Sequence, residues 1–508
     1  MAGVEREIRV NDRNSSRQYL RNFTQAFRSY EQVISADDLH EAAAAADVVL
    51  IADYHALPAA QHFAADLLER RTHPGDRPVV LGVETIFSRD QHILDEWWRR
   101  EIGERELRRR IRFDLDWGYD WEPFYQLLVT AREHGEAIYG LDCTPREDLR
   151  KIRARDRHAA HKIAEIRSLH PSAAIMILFG ESHLAPAHLP RLVRQSLPDE
   201  KVVTVLQNVD ALYWRAAGES STHVEAVRVS EDVVCAFNTA PLEKYENYRL
   251  CLARWSRDSK KLDVTPTIYN LIEALVRSLG INRYSPHNGT QPKFLVDSMP
   301  EVNYAETSPG RFRARGFHVG RPHARVDSVG QFLARKIADR DEVDFFLGRL
   351  EERGSVYVPQ LNLFYVREFR MAYAAEEAAR FLHHACQGLG QDDGTAHLKA
   401  PENFFTTVLE DALGYFGSRL VCPQRPSASM PSACSVRILE QGFERALAEP
   451  TKAYLVAREL GYAIGHHLYE QYLSGLVGAA CIRKLFLAKL RRPEVAKQIC
   501  VSIASQPR

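Results

Sequence analysis

Apolar residues in the first half of the chain follow two patterns: short continuous runs, and longer stretches with apolar positions three or four residues apart. The short runs are rich in β-branched residues and are typical of buried strands, whereas the spaced stretches are typical of amphipathic helices. Strands alternating with helices of this length indicate βαβ units and a mainly parallel sheet flanked by helices. The strands so predicted cover residues 47–52, 78–83, 136–142, 173–179, 201–208 and 232–238, after a helix over 16–34.

The pattern changes after about Arg257. Residues 285–330 are rich in Gly, Pro and Arg, which predicts an irregular connection, and residues 331–506 have a mostly helical pattern broken by a loop over 422–434. A chain of 508 residues is expected to form more than one domain. We predict a helical extension (1–40), an α/β domain (41–257), a helix with an irregular linker (258–330) and a mainly α-helical domain (331–508).

Composition and charge are ordinary for a globular protein, with 45% hydrophobic residues and 67 basic against 67 acidic side chains. This balance argues against a nucleic-acid partner. The polar N-terminus lacks the apolar core of a signal peptide, and no apolar run is long enough to predict a membrane span. The eight cysteines include no CxxC pair. These features predict a cytoplasmic protein with reduced thiols.

A short motif of an acid, a spacer and a histidine follows two of the predicted strands, and a strand between them ends in a further acid. The carboxyl ends of parallel strands share one edge of a sheet, where ligands bind. Imidazoles and carboxylates bind metals and move protons, and carboxylates that converge need a cation or a proton to compensate them. Five side chains are therefore predicted to meet in one crevice: Asp53, His55, Glu84, Glu181 and His183.

These motifs resemble the superfamily that joins ChaN-like haem-binding proteins, TIKI and TraB proteins, and erythromycin esterases. Arg155 and Asp156 are similar to an Arg-Asp or Arg-Asn element that those families carry before the second motif. The chain has a GVE strand end, then the aromatic segment over 116–128, then a strand and a GESH motif, and this order is most similar to the ChaN branch. The resemblance covers about residues 40–240.

The resemblance to ChaN-like proteins implies a haem-binding domain associated with iron uptake. Tyr54 or His55 is then a candidate iron ligand, and Arg146 or Arg155 a candidate partner of a haem propionate. A packed tyrosine at a strand end is the alternative for Tyr54. The leading prediction is a ChaN-like protein that binds haem, or a divalent metal such as Mn, Co or Zn, in the crevice. The expected metal ligands are the five converging side chains.

Two other functions stay open. The TIKI and erythromycin-esterase branches imply a metal-dependent or His/Glu hydrolase of an ester or peptide bond, acting on a small molecule or a peptide. Glu84 or Glu181 would be the general base, with His55 and His183 as metal ligands or proton carriers. The third alternative is a non-catalytic scaffold whose helical half is the working surface, and a homodimer is also left open.

Two further groups of residues favour structural roles. The aromatic residues between Trp117 and Tyr125 are interpreted as a satellite core rather than as a pocket wall. In the helical half, two segments each place acids and a histidine on one face. Because the Glu-x-x-His spacing of helical metal sites is absent, solvated faces or buried hydrogen bonds are favoured there. These two sets are Glu368, Glu376 and His383, and Glu459, His466 and Glu470.

Overall fold

The computed structural model describes residues 18–71, 77–143, 152–220, 223–255, 263–281, 299–306, 324–387, 403–423, 425, 435–490 and 493–505. The chain divides into two compact units, Met1–Trp255 and Ser256–Arg508. The first unit is α/β and the second is mainly helical, which confirms the predicted fold class. Among the described helices, none combines the length and hydropathy needed to cross a membrane.

An eight-stranded sheet forms the centre of the first unit, in the order β1-β7-β8-β6-β2-β5-β3-β4. Neighbours from β8 through to β4 pair in parallel, whereas β1 and β7 add an antiparallel edge. The strands are β1 (Gln32–Ile34), β2 (Val48–Asp53), β3 (Val79–Phe87), β4 (Ala137–Asp142), β5 (Ala174–Gly180), β6 (Val202–Gln207), β7 (Ala226–Ser230) and β8 (Val233–Ala236).

Helices cover both faces of this sheet. Alternate residues of β2 enter two separate apolar cores, Val49 and Ile51 on one side and Val48 and Leu50 on the other. A parallel sheet buried on both faces explains why its strands are continuous apolar runs. The helices are α1 (Gln18–Ala26), α2 (Ala36–Ala44), α3 (Pro58–Arg70), α4 (Gln91–Trp98), α5 (Glu104–Arg110), α6 (Phe113–Asp116), α7 (Trp121–His134), α8 (Ile152–Leu169), α9 (Leu189–Ser196), α10 (Asp210–Glu219) and α11 (Pro241–Trp255).

The sheet order brings the two motifs side by side. β5 lies between β2 and β3, and Asp53 at the end of β2 is in register with Gly180 at the end of β5. The prediction that the third strand ends at Glu84 was wrong, because β3 continues through Thr85 and Ile86 to Phe87. Its register with β4 shifts between Val83 and Phe87, and Glu84 lies within this irregularity. Such irregularities redirect side chains next to functional sites.

One predicted helix near the antiparallel edge of the sheet was wrong in part, and two predicted strands are confirmed. The helix predicted over 16–34 was wrong in its second half, because α1 ends at Ala26 and Gln32–Ile34 forms β1. Pairing with β7 stabilises this short edge strand, a tertiary effect that the local pattern does not contain. The strands predicted over 201–208 and 232–238 are confirmed as β6 and β8.

The second unit combines helices with a four-stranded sheet of order β10-β9-β12-β11. Its elements are α12 (Thr265–Ser278), β9 (Glu301–Glu306), β10 (Ala324–Arg325), α13 (Val326–Lys336), α14 (Arg340–Arg353), β11 (Ser355–Val358), β12 (Leu363–Val366), α15 (Met371–Gln387), α16 (Phe404–Val421), α17 (Val436–Ala448), α18 (Ala453–Leu473), α19 (Ala479–Leu487) and α20 (Pro493–Ala504).

The second sheet was not predicted. Helix was expected over 355–366, but β11 and β12 form an antiparallel hairpin there. Gly354 and Asn362 adopt φ angles of 79° and 48°, which end α14 and turn the chain between the two strands. β9 and β10 lie within the segment expected to be irregular. Most of the loop predicted over 422–434 lies outside the described residues.

The buried centre of the second unit is an ion-pair network around Glu376 on α15. Its carboxylate contacts Arg353, lies 3.2 Å from Nη2 of Arg349 and 2.8 Å from Nη1 of Arg425, and accepts a hydrogen bond from Tyr462. Each of these side chains is buried. By contrast, Glu368 is only half-buried and pairs with Arg370, and His466 lies 3.9 Å from the exposed Glu470.

Candidate functional site at the carboxyl edge of the sheet

His55 is held by Asp53 where β2 ends. Nδ1 of His55 lies 2.7 Å from Oδ2 of the buried Asp53, whose other oxygen accepts a hydrogen bond from Gln61. A carboxylate beside Nδ1 favours the tautomer that carries its proton there and leaves a lone pair on Nε2. About a sixth of the His55 side chain is exposed (17%), so the imidazole borders the open side of the crevice.

The carboxylate of Glu84 lies at the centre of the site. Oε1 accepts a hydrogen bond from Arg155, and Oε2 accepts one from the amide of Gly180 at 2.6 Å. Nε2 of His55 is 3.6 Å from Oε2, and Nε2 of His183 is 3.8 Å from Oε1. Burial raises the pKa of Glu84, but Arg155 and the two imidazoles outweigh it and lower the pKa to about 2. Glu84 is therefore an anion at neutral pH.

A second histidine–carboxylate pair faces Glu84 from the other side. Nδ1 of His183, in the short 3-10 helix after β5, lies 2.5 Å from Oδ1 of Asp156 on α8. The other oxygen of Asp156 accepts a 2.8 Å hydrogen bond from the hydroxyl of Tyr19 on α1. Both Asp156 and His183 are buried. Two oriented imidazoles thus present Nε2 to one carboxylate, which is an arrangement suited to holding or moving protons.

Gly180 allows these groups to meet. A Cβ atom at this position would lie 3.0 Å from Oε2 of Glu84, 3.1 Å from Nε2 of His55 and 3.5 Å from Cδ2 of His183. Any side chain at residue 180 would therefore occupy the space in which the three polar groups converge. This close approach gives a physical reason for the glycine that precedes the second motif.

Arg155 binds two carboxylates of the cluster, Asp142 and Glu84. Its guanidinium donates to both oxygens of Asp142, at 2.8 and 3.0 Å, as well as to Glu84, and only 6% of the residue is exposed. Sequence reasoning did not single out Asp142, although it ends β4 as Asp53 ends β2. Arg146 lies outside the described residues.

Glu181 belongs to a neighbouring group rather than to the cluster around Glu84. Its Oε2 lies 3.6 Å from Nζ of Lys244, which lies 3.8 Å from Oδ1 of Asp210 and donates to the carbonyl of Asn208 at 3.1 Å. Burial raises the pKa of Glu181; Lys244 lowers it and Asp210 raises it, and the net shift is upward. Sequence reasoning missed Lys244 and Asp210, which follow no strand-end motif.

Aromatic side chains border the crevice. Trp117 packs edge-on against His55 with ring centroids 4.5 Å apart, and Tyr119 lies 5.4 Å from the same ring. The ring of Tyr54 lies 5.7 Å from that of Tyr248, and its hydroxyl makes no hydrogen bond to the part of the chain that the structure describes. Trp117 also belongs to the apolar core of one sheet face, so the aromatic segment contributes to both core and crevice.

The cluster brings acidic and basic side chains together. Converging buried carboxylates are costly unless positive charge compensates them. The acids are Asp53, Glu84, Asp142 and Asp156, and the bases are Arg155, His55 and His183.

The expected metal ligands do not form a metal site as a set. Asp53, His55, Glu84 and His183 belong to the cluster described above, whereas Glu181 faces Lys244. Within the described ranges, no group of three or more His, Cys, Asp or Glu side chains is arranged to hold a metal ion.

The fold and this arrangement define an α/β protein with a polar cluster at the carboxyl edge of a mainly parallel sheet. Residues 39–176 match the model of a family described as haem-binding uptake, Tiki superfamily, ChaN. This match confirms the resemblance indicated by the motifs for that part of the chain. It includes Tyr54, His55, Glu84, Asp142, Arg155 and Asp156, and ends before the second motif.

The chain was also compared with solved structures and with curated proteins. A solved structure described as cofacial haem binding to ChaN of Campylobacter jejuni is similar at 17% sequence identity over 34% of this chain and 86% of that chain, with a TM-score of 0.26. None of the curated proteins matches the chain.

Proposed function

We propose that the first unit binds haem at the carboxyl edge of its sheet, with Tyr54 as the iron ligand. The observation that carries this proposal is the match of residues 39–176 to a family described as haem-binding. Tyr54 lies inside that match, directly after β2. Tyrosine is one of the side chains that hold haem iron in proteins.

Tyr54 suits this role better than His55. Nε2 of His55 faces Oε2 of Glu84 at 3.6 Å and the Cβ position of Gly180 at 3.1 Å. A porphyrin centred on that nitrogen would have to displace the Glu84 carboxylate, which Arg155 and the Gly180 amide hold in place. Tyr54 is half-buried, and its hydroxyl is not committed to a hydrogen bond within the described residues.

The surroundings of Tyr54 would bind and orient the ligand. Haem, when bound, would supply a redox-active iron and a flat apolar face. Tyr119, which is half-buried, offers aromatic surface beside His55. Arg155 is already committed to Glu84 and Asp142, so its assigned role is to hold the cluster rather than a propionate.

Haemin titration of the purified protein tests this proposal. Wild type should give a saturable Soret shift at one haem per chain. Tyr54→Phe should weaken binding by about tenfold or more, because even the outer partners of metal ligands contribute about 10–100-fold to affinity. Tyr139→Phe is the matched control, because Tyr139 is another half-buried tyrosine whose hydroxyl bonds His170. A folded Tyr54→Phe protein with wild-type affinity would remove Tyr54 from the role, and the absence of saturable binding by wild type would reject haem.

A second candidate function is hydrolysis of an ester or amide bond, favoured by the opposite pKa shifts of Glu84 and Glu181. Glu84 stays ionised, whereas the raised pKa of Glu181 makes it the better proton carrier near neutral pH. Carboxyl groups with pKa values moved apart are a basis for acid–base catalysis. His55, oriented by Asp53, would take a proton from water through Nε2.

This second function is tested by turnover of p-nitrophenyl esters and of a peptide library. Glu181→Gln and His55→Ala should each lower kcat by about 100-fold or more, whereas Glu219→Gln, on the exposed end of α10, should not change it. Turnover that is unchanged in both site variants would assign any activity to another part of the chain.

A further inference from the structure

Ser88 and His158 form a hydrogen-bonded pair that no part of the proposed function uses. Oγ of Ser88 lies 2.8 Å from Nε2 of His158, and both residues are half-buried. Ser88 comes directly after β3, and His158 is on α8, three residues beyond Arg155. A serine hydroxyl within hydrogen-bond reach of an imidazole is the basic unit of an activated nucleophile. We propose that Ser88 is a nucleophile for carboxylic esters, with His158 as its base.

The local backbone suits this chemistry. β3 ends at Phe87, and Ser88 begins the 3-10 helix Ser88–Asp90, which continues into α4. A serine at a strand-to-helix turn is displayed at the carboxyl edge of the sheet, as in hydrolases that carry a nucleophile elbow. The amide of Arg89 lies in the first helical turn and has no acceptor within the helix. It is therefore the backbone donor that could stabilise an oxyanion formed on a substrate at Ser88.

The surroundings of His158 keep it in the form that a base requires. Burial has the largest effect and lowers the pKa of His158. The charges of Lys162 and His161 lower this pKa further, whereas Asp142 and Glu165 raise it. The net shift of the His158 pKa is downward. The imidazole is therefore neutral at neutral pH and can accept a proton at Nε2. The Ser88 hydroxyl also lies 3.1 Å from the carbonyl of Asp142, a competing acceptor for its one proton.

The reaction balances without a cofactor. Oγ attacks the carbonyl carbon of the ester; the new Oγ–C bond forms, the bond to the alkoxide breaks, and the Oγ proton passes through His158 to the departing alkoxide. Water then attacks the acyl-serine, releases the acid and returns the proton to Ser88. Among the described residues, no carboxylate is bonded to Nδ1 of His158, so the pair lacks the third group that orients the base in triads. We expect activated esters to react best.

A fluorophosphonate probe tests the proposal, because it forms an O–P bond with an activated serine and releases fluoride. Intact mass should show one adduct per wild-type chain, and peptide mass spectrometry should place it on Ser88. Ser88→Ala should abolish the adduct, and His158→Gln should slow it by about 100-fold, the scale of general-base assistance. Ser230→Ala is the matched control, since Ser230 is half-buried and bonds Asp232 instead of a histidine.

Two results would overturn the roles proposed for Ser88 and His158, and neither result depends on haem. An adduct on Ser88 that forms at the same rate in a folded His158→Gln protein would overturn the role of His158. No adduct on Ser88 in the wild-type protein, with circular dichroism showing a folded chain, would overturn the proposal. Because the probe is used without haem, neither result depends on whether Tyr54 binds iron.

Discussion

The hydroxyl of Tyr19 donates a 2.8 Å hydrogen bond to Oδ2 of Asp156, the carboxylate that holds His183. The ring of Tyr19 also stacks on His188 with centroids 3.8 Å apart. Tyr19 is on α1, which precedes the residues matched by the family model. A helix outside the family match therefore helps to hold the second motif.

Replacing Tyr19 by Phe should isolate this hydrogen bond, because the stacked ring is retained. A buried hydrogen bond to a charged acceptor contributes about 1.5–3 kcal/mol, so the free energy of unfolding of the first unit should fall by that amount. Urea denaturation measures the loss. Tyr30→Phe is the control, since Tyr30 bonds Glu219 at the surface and should contribute less than about 1 kcal/mol. Equal losses in both variants would contradict a special role for Tyr19.

Gly180→Ala should disturb the cluster directly. The added Cβ would meet Glu84 at 3.0 Å and His55 at 3.1 Å, and both side chains are fixed by their own partners. We expect a loss of about 1–3 kcal/mol in the free energy of unfolding, the usual cost of overpacking. Gly218→Ala on α10 meets nothing within 4 Å, so it should be neutral or stabilising. A Gly180→Ala protein as stable as wild type would mean that the cluster relaxes easily.

The stability of the first unit should depend on pH through Glu84. Its pKa falls from an ordinary 4.5 to about 2 on folding, so ionised Glu84 stabilises the fold above pH 4.5, and this contribution is lost as pH falls through 2. The shift corresponds to about 3 kcal/mol at pH 7. Glu84→Gln should therefore be less stable than wild type by roughly that amount at pH 7, and the difference should shrink below pH 4.5.

Denaturation of both proteins at several pH values between 7 and 3 measures this difference. Glu101→Gln is the control, because Glu101 pairs with Arg99 on the surface. A gap between wild type and Glu84→Gln that does not change with pH would assign the effect of the substitution to packing rather than to charge.

The sequence could predict the centre of the sheet because its strands are buried on both faces. The runs that became β2, β5 and β3 are continuous and apolar, and parallel strands must bring their carboxyl ends together. The placement of Asp53, His55 and His183 at one edge follows from that rule, whereas Glu84 joins them from the irregular stretch of β3. The short edge strand β1 could not be predicted, since tertiary pairing decides it. The hairpin at 355–366 did have a signal in the sequence, the turn residues Gly354 and Asn362, but the helical pattern around it was given more weight.

Asp142 and Lys244, which contact predicted site residues, were harder to predict than the residues of the two motifs. Asp142 ends a strand as expected of a site residue, but no histidine follows it. Lys244, on α11, lies beside Glu181 only because the chain folds back over more than sixty residues. Sequence spacing carries no signal for such contacts, and the burial that shifts the pKa of Glu181 is likewise a property of the folded chain.

The second unit provides a test of buried against exposed charge on nearby residues. Glu376 is buried among Arg353, Arg349 and Arg425, so Glu376→Gln leaves guanidinium groups in the core without their shared carboxylate. Breaking a buried ion pair by removing one partner costs about 3–5 kcal/mol. Hydrogen exchange followed by mass spectrometry should therefore show faster exchange throughout α15 and α16.

Glu368→Gln is the matched control for this substitution, because Glu368 pairs with Arg370 at 2.9 Å and nearly half of its side chain is exposed (45%). Such surface pairs contribute less than about 1 kcal/mol, so exchange in α15 and α16 should stay at the wild-type rate. If Glu376→Gln also leaves exchange unchanged, the arginines must find other compensation, and the network would not be what holds these two helices together.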